Sequence, residues 1–185
     1  MSTYVCPWWL TYSFDNPLRR LVHDPEKIVG PYVKPGMRVA DIGCGMGYFT
    51  PALARRVGPS GHAQAVDLQP QQLARVRARC ERAGVLAQVE LTLATPDDLR
   101  LRTPLDFCLA FWMVHEVPDR AGFLSTINRA LSDGGTLLVV EPKIHVSRAA
   151  FLDTVQLAQK VGFSLVEARA VRLSRTAALL RPAGG

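Results

Sequence analysis

Val39-Ala40-Asp41-Ile42-Gly43-Cys44-Gly45-Met46-Gly47-Tyr48-Phe49-Thr50 is the stretch on which the reading of the whole chain turns. A short apolar run from Arg38 to Ile42 ends in glycines at alternate positions, and Phe49, Leu53 and Val57 then recur at helical spacing. That order predicts a strand, a tight loop and a helix start. Pro51 fits a helix only in its first turn, where the missing N–H has no intrahelical partner. Glycines between a strand and a helix supply positive φ and a backbone bare enough for a ligand to lie against. Such a loop forms the floor of a nucleotide-type site at the carboxyl end of a parallel strand.

Spacing and one acid decide which nucleotide. A dinucleotide fold needs G-x-G-x-x-G, so that a pyrophosphate can meet the helix N-terminus. Here Tyr48 stands where the third glycine would be, and the glycines fall as G-x-G-x-G. Asp41, two residues before the first glycine, suits a cationic ligand end better than a phosphate. The run D-I-G-C-G-M-G resembles motif I of the class I S-adenosylmethionine (SAM)-dependent methyltransferases.

Asp67 ends a second strand roughly two dozen residues beyond Gly43, about where such folds place a ribose-binding carboxylate. A helix from Pro70 to Ala83 follows, closed by Gly84. Val89–Leu93 alternates as a third strand and Leu105–Phe111 reads as a fourth, leading into Trp112-Met113-Val114-His115-Glu116. Asp119 caps a helix with Phe123, Leu124, Ile127 and Leu131 inward. Ser132–Gly135 turns into the strand Thr136–Val140, which ends in Glu141-Pro142. Ser147 caps a helix ended by Gly162, and Phe163–Val171 and Thr176–Leu180 read as the last strands, an antiparallel edge pair.

The leading residues carry the aromatic stretch Cys6–Tyr12, including Trp8 and Trp9, then a short helix over 16–23. Asp24-Pro25 begins another helix that runs through Val29. The resemblance covers about residues 36–182 and includes L-x-x-G-G-x-L-x-x-x-E-P around Glu141. It implies an α/β, doubly wound, seven-stranded, mostly parallel Rossmann-like sheet. It also implies two parts, a short helical lid over 1–35 and a SAM-binding domain over 36–185. In that family the leading segment lies across the cofactor mouth and shapes the substrate pocket; the alternative is that Trp8 and Trp9 only cover a helix.

As a family member the chain would hold SAM, released as S-adenosylhomocysteine, with Asp41, Gly43, Cys44, Gly45, Gly47, Tyr48, Asp67, Leu68, Thr95 and Phe111. The family often carries an aspartate against the adenine where this chain has Thr95, with Asp97 and Asp98 following. Either the register differs there or a hydroxyl substitutes. Methyl transfer needs alignment above all, and a base only where the acceptor loses a proton. Candidate bases cluster after strands four and five: His115, Glu116, Glu141 and His145, with His23 able to join them. H-E-x-x-H is absent, because residue 119 is aspartate, so no metal is expected.

Composition bounds the rest. The 185 residues are 48% hydrophobic and 21% charged, values ordinary for one globular domain, and the net charge of +6 is carried mostly by scattered arginines. No apolar run is long enough to span a bilayer, and the N-terminus lacks a signal-peptide pattern. Cys6, Cys44, Cys80 and Cys108 form no C-x-x-C pair, which suits reduced thiols in the cytoplasm. Arg75, Arg79 and Arg82 share a helical face that reads as solvated; no aromatic residues interleave with them, so nucleic acid is a minority partner. The expectation is therefore a cytoplasmic methyltransferase acting on a small molecule, with no membrane insertion and no oligomeric state specified. Three alternatives stand beside it. They are a SAM-binding regulatory or accessory protein without transfer, a nicotinamide-dependent oxidoreductase and an RNA methyltransferase.

Overall fold

A computed structural model describes residues 22–184. The aromatic stretch 6–12 and nearly all of the helix expected over 16–23 lie outside the described residues. The first described helix, α1 (Pro25–Val29), begins as expected, with the Asp24 carboxylate accepting from the Glu26 backbone N–H.

Seven strands form one sheet in the order β3-β2-β1-β4-β5-β7-β6. They are β1 (Arg38–Ile42), β2 (His62–Asp67), β3 (Val89–Leu93), β4 (Leu105–Phe111), β5 (Leu131–Pro142), β6 (Ser164–Val166) and β7 (Ser174–Leu180). Strands β1 to β5 pair in parallel. Only β7 runs against the rest, pairing antiparallel with both β5 and β6. The helices α2 (Thr50–Val57), α3 (Pro70–Arg82), α4 (Arg120–Ala130) and α5 (Arg148–Lys160) complete the chain.

Alternation along the strands divides the core in two. Val39, Phe107, Leu109, Leu138 and Val140 meet α1, α2 and α3 through Val29, Leu53, Val57, Leu73 and Val76. Ala40, Ile42, Cys108, Ala110, Leu137 and Val139 meet α4 and α5 through Leu124, Ile127, Phe151 and Val155. Both faces of the central strands β1, β4 and β5 are covered, which is why they read as mostly continuous apolar runs, whereas the edge strand β3 alternates. The chain leaves β1 toward β2 and β3, then crosses back to β4. The crevice between β1 and β4 is thus the topological switch point, where α/β sheets take ligands.

β7 begins two residues earlier than expected, at Ser174, and β5 and β6 differ from expectation by more. β5 begins at Leu131 rather than Thr136, because Leu131 pairs with Leu105 before a register shift carries the Ser132–Gly135 turn as an irregularity within the strand. Gly134 donates to Arg181 and Arg181 to Gly135 there, lengthening the ladder toward β7. β6 stops at Val166 rather than Val171. Beyond it the backbone turns to other partners: the Arg169 N–H donates to the Tyr32 hydroxyl, and the Arg172 carbonyl bonds the His23 ring.

Candidate active site

The loop after β1 is stitched to β2, with the N–H groups of Gly43 and Cys44 both donating to the Val66 carbonyl at 2.9 and 3.1 Å. Gly43, Gly45 and Gly47 hold φ of +66°, +52° and +74°, a region that disfavours any residue with a Cβ. Their surroundings differ. A Cβ on Gly43 would come within 2.9 Å of the Met113 side chain, and one on Gly47 within 3.1 Å of Val76. A Cβ on Gly45 would meet nothing within 4 Å. Gly43 and Gly47 are therefore dictated by packing as well as by φ, whereas Gly45 faces open space.

Two carboxylates brace this loop. Asp67, at the end of β2, accepts from the Gly45 N–H and the Gln69 N–H, each at 2.9 Å. Burial pushes its carboxyl above the ordinary aspartate value, and the N–H groups of Gln69, Gly45 and Leu68 pull the other way. Asp41 is buried and accepts from the Thr50 hydroxyl at 2.6 Å, tying the strand end to the start of α2. Between them the Cys44 thiol is held well above its usual pKa by burial, then by the charges of Asp41 and Asp67. It is a neutral packing group.

The other residues expected around the cofactor take definite places. Leu68, after β2, and Leu93, ending β3, are exposed apolar side chains at this edge of the sheet. Thr95 exchanges backbone hydrogen bonds with Asp98, at 2.9 and 3.2 Å, and so closes a tight turn. Tyr48 donates its hydroxyl to the His23 carbonyl at 2.8 Å. Phe111 is buried, its ring centroid 4.4 Å from that of Phe49. His23 is buried as well, edge-on to Phe111 and Trp112 with Nε2 bonded to the Arg172 carbonyl. It ties the leading segment to the β4 and β7 loops.

His115, Glu116, Glu141 and His145 converge where β4 and β5 end, Glu141 within the last residues of β5. His115 Nδ1 and Glu141 Oε2 lie 2.5 Å apart, and the His115 backbone N–H donates to Glu141 Oε1 at 3.2 Å. Glu116 Oε1 is 4.0 Å from His115 Nε2, and the His145 ring lies nearly parallel to that of His115 at 6.5 Å. Glu141 is 2% exposed. Its hydrogen bond raises the His115 pKa; burial lowers it, and the charges of Glu141 and Glu116 raise it further. With Nδ1 committed to Glu141, Nε2 is the nitrogen able to exchange a proton. A cavity of about 260 Å³ is lined by His115, Arg120, Glu141, Val146, Ala150 and Thr154.

Arg120, Gln64 and Met113 were not singled out from the sequence. Arg120 donates to Thr154 Oγ1 and Asp153 Oδ2, at 2.8 and 2.7 Å. It reads as a solvated first-turn charge until α5 packs beside it. Gln64 is fully buried and donates to Thr92 and the Arg100 carbonyl while accepting from the Arg102 N–H, which fixes the loop after β3. A polar residue within β2 was the one signal for it. Trp112, at φ +58°, makes the turn that sets Met113 against Gly43. Among the described residues no group of three or more His, Cys, Asp or Glu side chains is arranged to hold a metal ion, and no helix is long and apolar enough to cross a membrane.

A family model described as a methyltransferase domain matches residues 39–135. The ubiquinone biosynthesis O-methyltransferase of Xylella fastidiosa (strain M23) is 29% identical over 167 residues, covering 86% of this chain and 63% of the relative. The carboxy-S-adenosyl-L-methionine synthase of Dichelobacter nodosus is 34% identical over 125 residues, covering 65% of this chain and 51% of that one. The chain thus spans less than two thirds of the length of these relatives. A crystal structure of a SAM-dependent methyltransferase from Aquifex aeolicus superposes with a TM-score of 0.85, at 20% identity, covering 96% of this chain and 100% of that one. At that identity the likeness is one of fold.

Proposed function

The chain belongs to the methyltransferase domain family, and on that premise we propose that it transfers a methyl group from SAM to an oxygen of a small-molecule acceptor, releasing S-adenosylhomocysteine. The observation that carries the reading is the Gly45 position. It is an open backbone surface at the switch point, braced by a carboxylate from the neighbouring strand. The residues present fit the cofactor. Asp67 offers acceptor oxygens for ribose hydroxyls, Leu68 and Leu93 an apolar edge for a base, and Asp41 negative charge for the cationic end. Gly43, Cys44, Gly47, Tyr48, Thr95 and Phe111 complete or support that surface. When bound, SAM supplies an activated methyl group.

The chain's own residues then position the acceptor and hold its proton. His115 takes a proton at Nε2 from the acceptor hydroxyl, and Glu141 fixes its tautomer and stabilises the imidazolium. Glu116 and His145 flank this pair, and the charge of Glu116 adds to the upward pull on His115. The O-methyltransferase name of the Xylella relative favours the same choice of acceptor atom. We assign residues 1–35 to a lid on domain 36–185, seated on the glycine loop by the bond from the Tyr48 hydroxyl to the His23 carbonyl and rooted in the core by Val29. The buried free thiols of Cys44, Cys80 and Cys108 suit a reducing cytoplasm.

The test is transfer from methyl-labelled SAM to a panel of phenolic and enolic acceptors. Labelled product from at least one hydroxyl compound, abolished in His115→Gln, is expected. SAM binding without transfer to any acceptor would leave the regulatory alternative standing.

A further inference from the structure

Two loops at the carboxyl end of the sheet push apolar side chains into water. Ile144, between β5 and α5, is 86% exposed, and Leu173, just before β7, is 60% exposed. The Lys143 N–H donates to the Leu173 carbonyl at 3.0 Å, so the two tips stand side by side. Leu173 also sits at φ +58°, a region unfavourable for a leucine. A leucine that is strained in its backbone and wet in its side chain gains nothing from the fold.

The surroundings are cationic. Lys143, Arg148 and Arg172 are exposed, and Arg175 is anchored by donation to the Val146 carbonyl at 3.1 Å. No aspartate or glutamate occurs over 142–152 or 168–181. Glu141, the acid just before the first span, is buried against His115.

We propose that this face docks on a membrane surface rich in anionic lipid, with Ile144 and Leu173 seated at the headgroup boundary and Lys143, Arg148 and Arg172 against the phosphates. The tips project and form no groove, and two side chains fall far short of the area a stable protein interface needs. A bilayer asks only for a few inserted apolar groups and several cations. The glycine loop, His115 and Glu141 lie at the same end of the sheet. Docking there would bring the site to the bilayer, so the acceptor is a lipid-soluble hydroxyl compound; this last step rests on the methyl-transfer reading, whereas the docking does not.

The test is vesicle co-sedimentation of the full chain without SAM, using neutral phosphatidylcholine vesicles and vesicles rich in phosphatidylglycerol. Binding to the anionic vesicles is expected, weakened by salt and reduced at least about tenfold in the Ile144→Asp, Leu173→Asn double variant. Asparagine tolerates positive φ, and an unchanged melting temperature would show that the variant is folded. Equal binding by wild type and variant, or none to either vesicle, would overturn the proposal. So would a concentration-dependent dimer that the double variant abolishes without any vesicle binding, which would make the face a contact between copies. Because no cofactor is present, failure here leaves methyl transfer untouched.

Discussion

Replacing Glu141 by glutamine keeps its size and one carbonyl oxygen but removes the charge that faces His115. The bond is short, 2.5 Å, its carboxylate is 2% exposed and the imidazole side chain 29% exposed. Hydrogen bonds to charged groups contribute about 1.5–3 kcal/mol, and the partly wet imidazole brings the expected coupling to about 1–2 kcal/mol. His115 is raised in the folded protein, chiefly by that bond. Its contribution to stability is therefore full below the unfolded histidine value of about 6.5 and is lost as pH rises through the folded value. Urea melts of wild type, Glu141→Gln, His115→Gln and the double variant should give this coupling below pH ~6, and a smaller one well above it. Transfer requires neutral His115, so the acidic limb of its pH profile should move to lower pH in Glu141→Gln, with a plateau lower by about tenfold or more. A coupling under about 0.3 kcal/mol at low pH, or an acidic limb that does not move, would refute the pairing as a working unit.

Four further variants test the loops around the site. Gly47→Ala meets Val76 as well as its positive φ and should cost about 2–3 kcal/mol in a urea melt, whereas Gly45→Ala bears only the backbone strain of about 1–2 kcal/mol. By calorimetry, however, Gly45→Ala should lower SAM affinity at least about tenfold, because its methyl enters the open surface. Gln64→Ala orphans the Arg100 carbonyl and the Arg102 N–H, and should cost about 2–4 kcal/mol with faster amide exchange at Arg102. Burial raises Asp67, so that group's contribution is present below the unfolded aspartate value and lost as pH rises through the folded one. Melting temperatures of Asp67→Asn should accordingly fall less than wild type between acid and neutral pH, while its SAM affinity drops.

β1 and β4 were legible because each is a short, mostly apolar run buried on both faces, and the edge strand β3 because its apolar residues alternate. β3 and β4 are found at the residues expected. β5 and β6 were not fully legible, since their lengths are settled by distant partners: Leu105 and Arg181 for β5, Tyr32 and His23 for the chain beyond β6. The glycine loop could be read as a ligand surface, yet the sequence does not say which glycine is open. That depends on Met113 and Val76, residues from two other elements. His115 and Glu141 could each be named from its position after a strand, but their pairing required the register of β4 against β5. Arg120 looks like any helical surface charge until Thr154 is beside it.

Calorimetric titration of the purified chain with SAM, S-adenosylhomocysteine and NAD in parallel tests the central claim, that the loop around Gly45 holds SAM. Micromolar binding of the first two and none of NAD is the result predicted. Binding of NAD alone would contradict the reading of the glycine loop, and the proton-accepting role of His115 would fall with it.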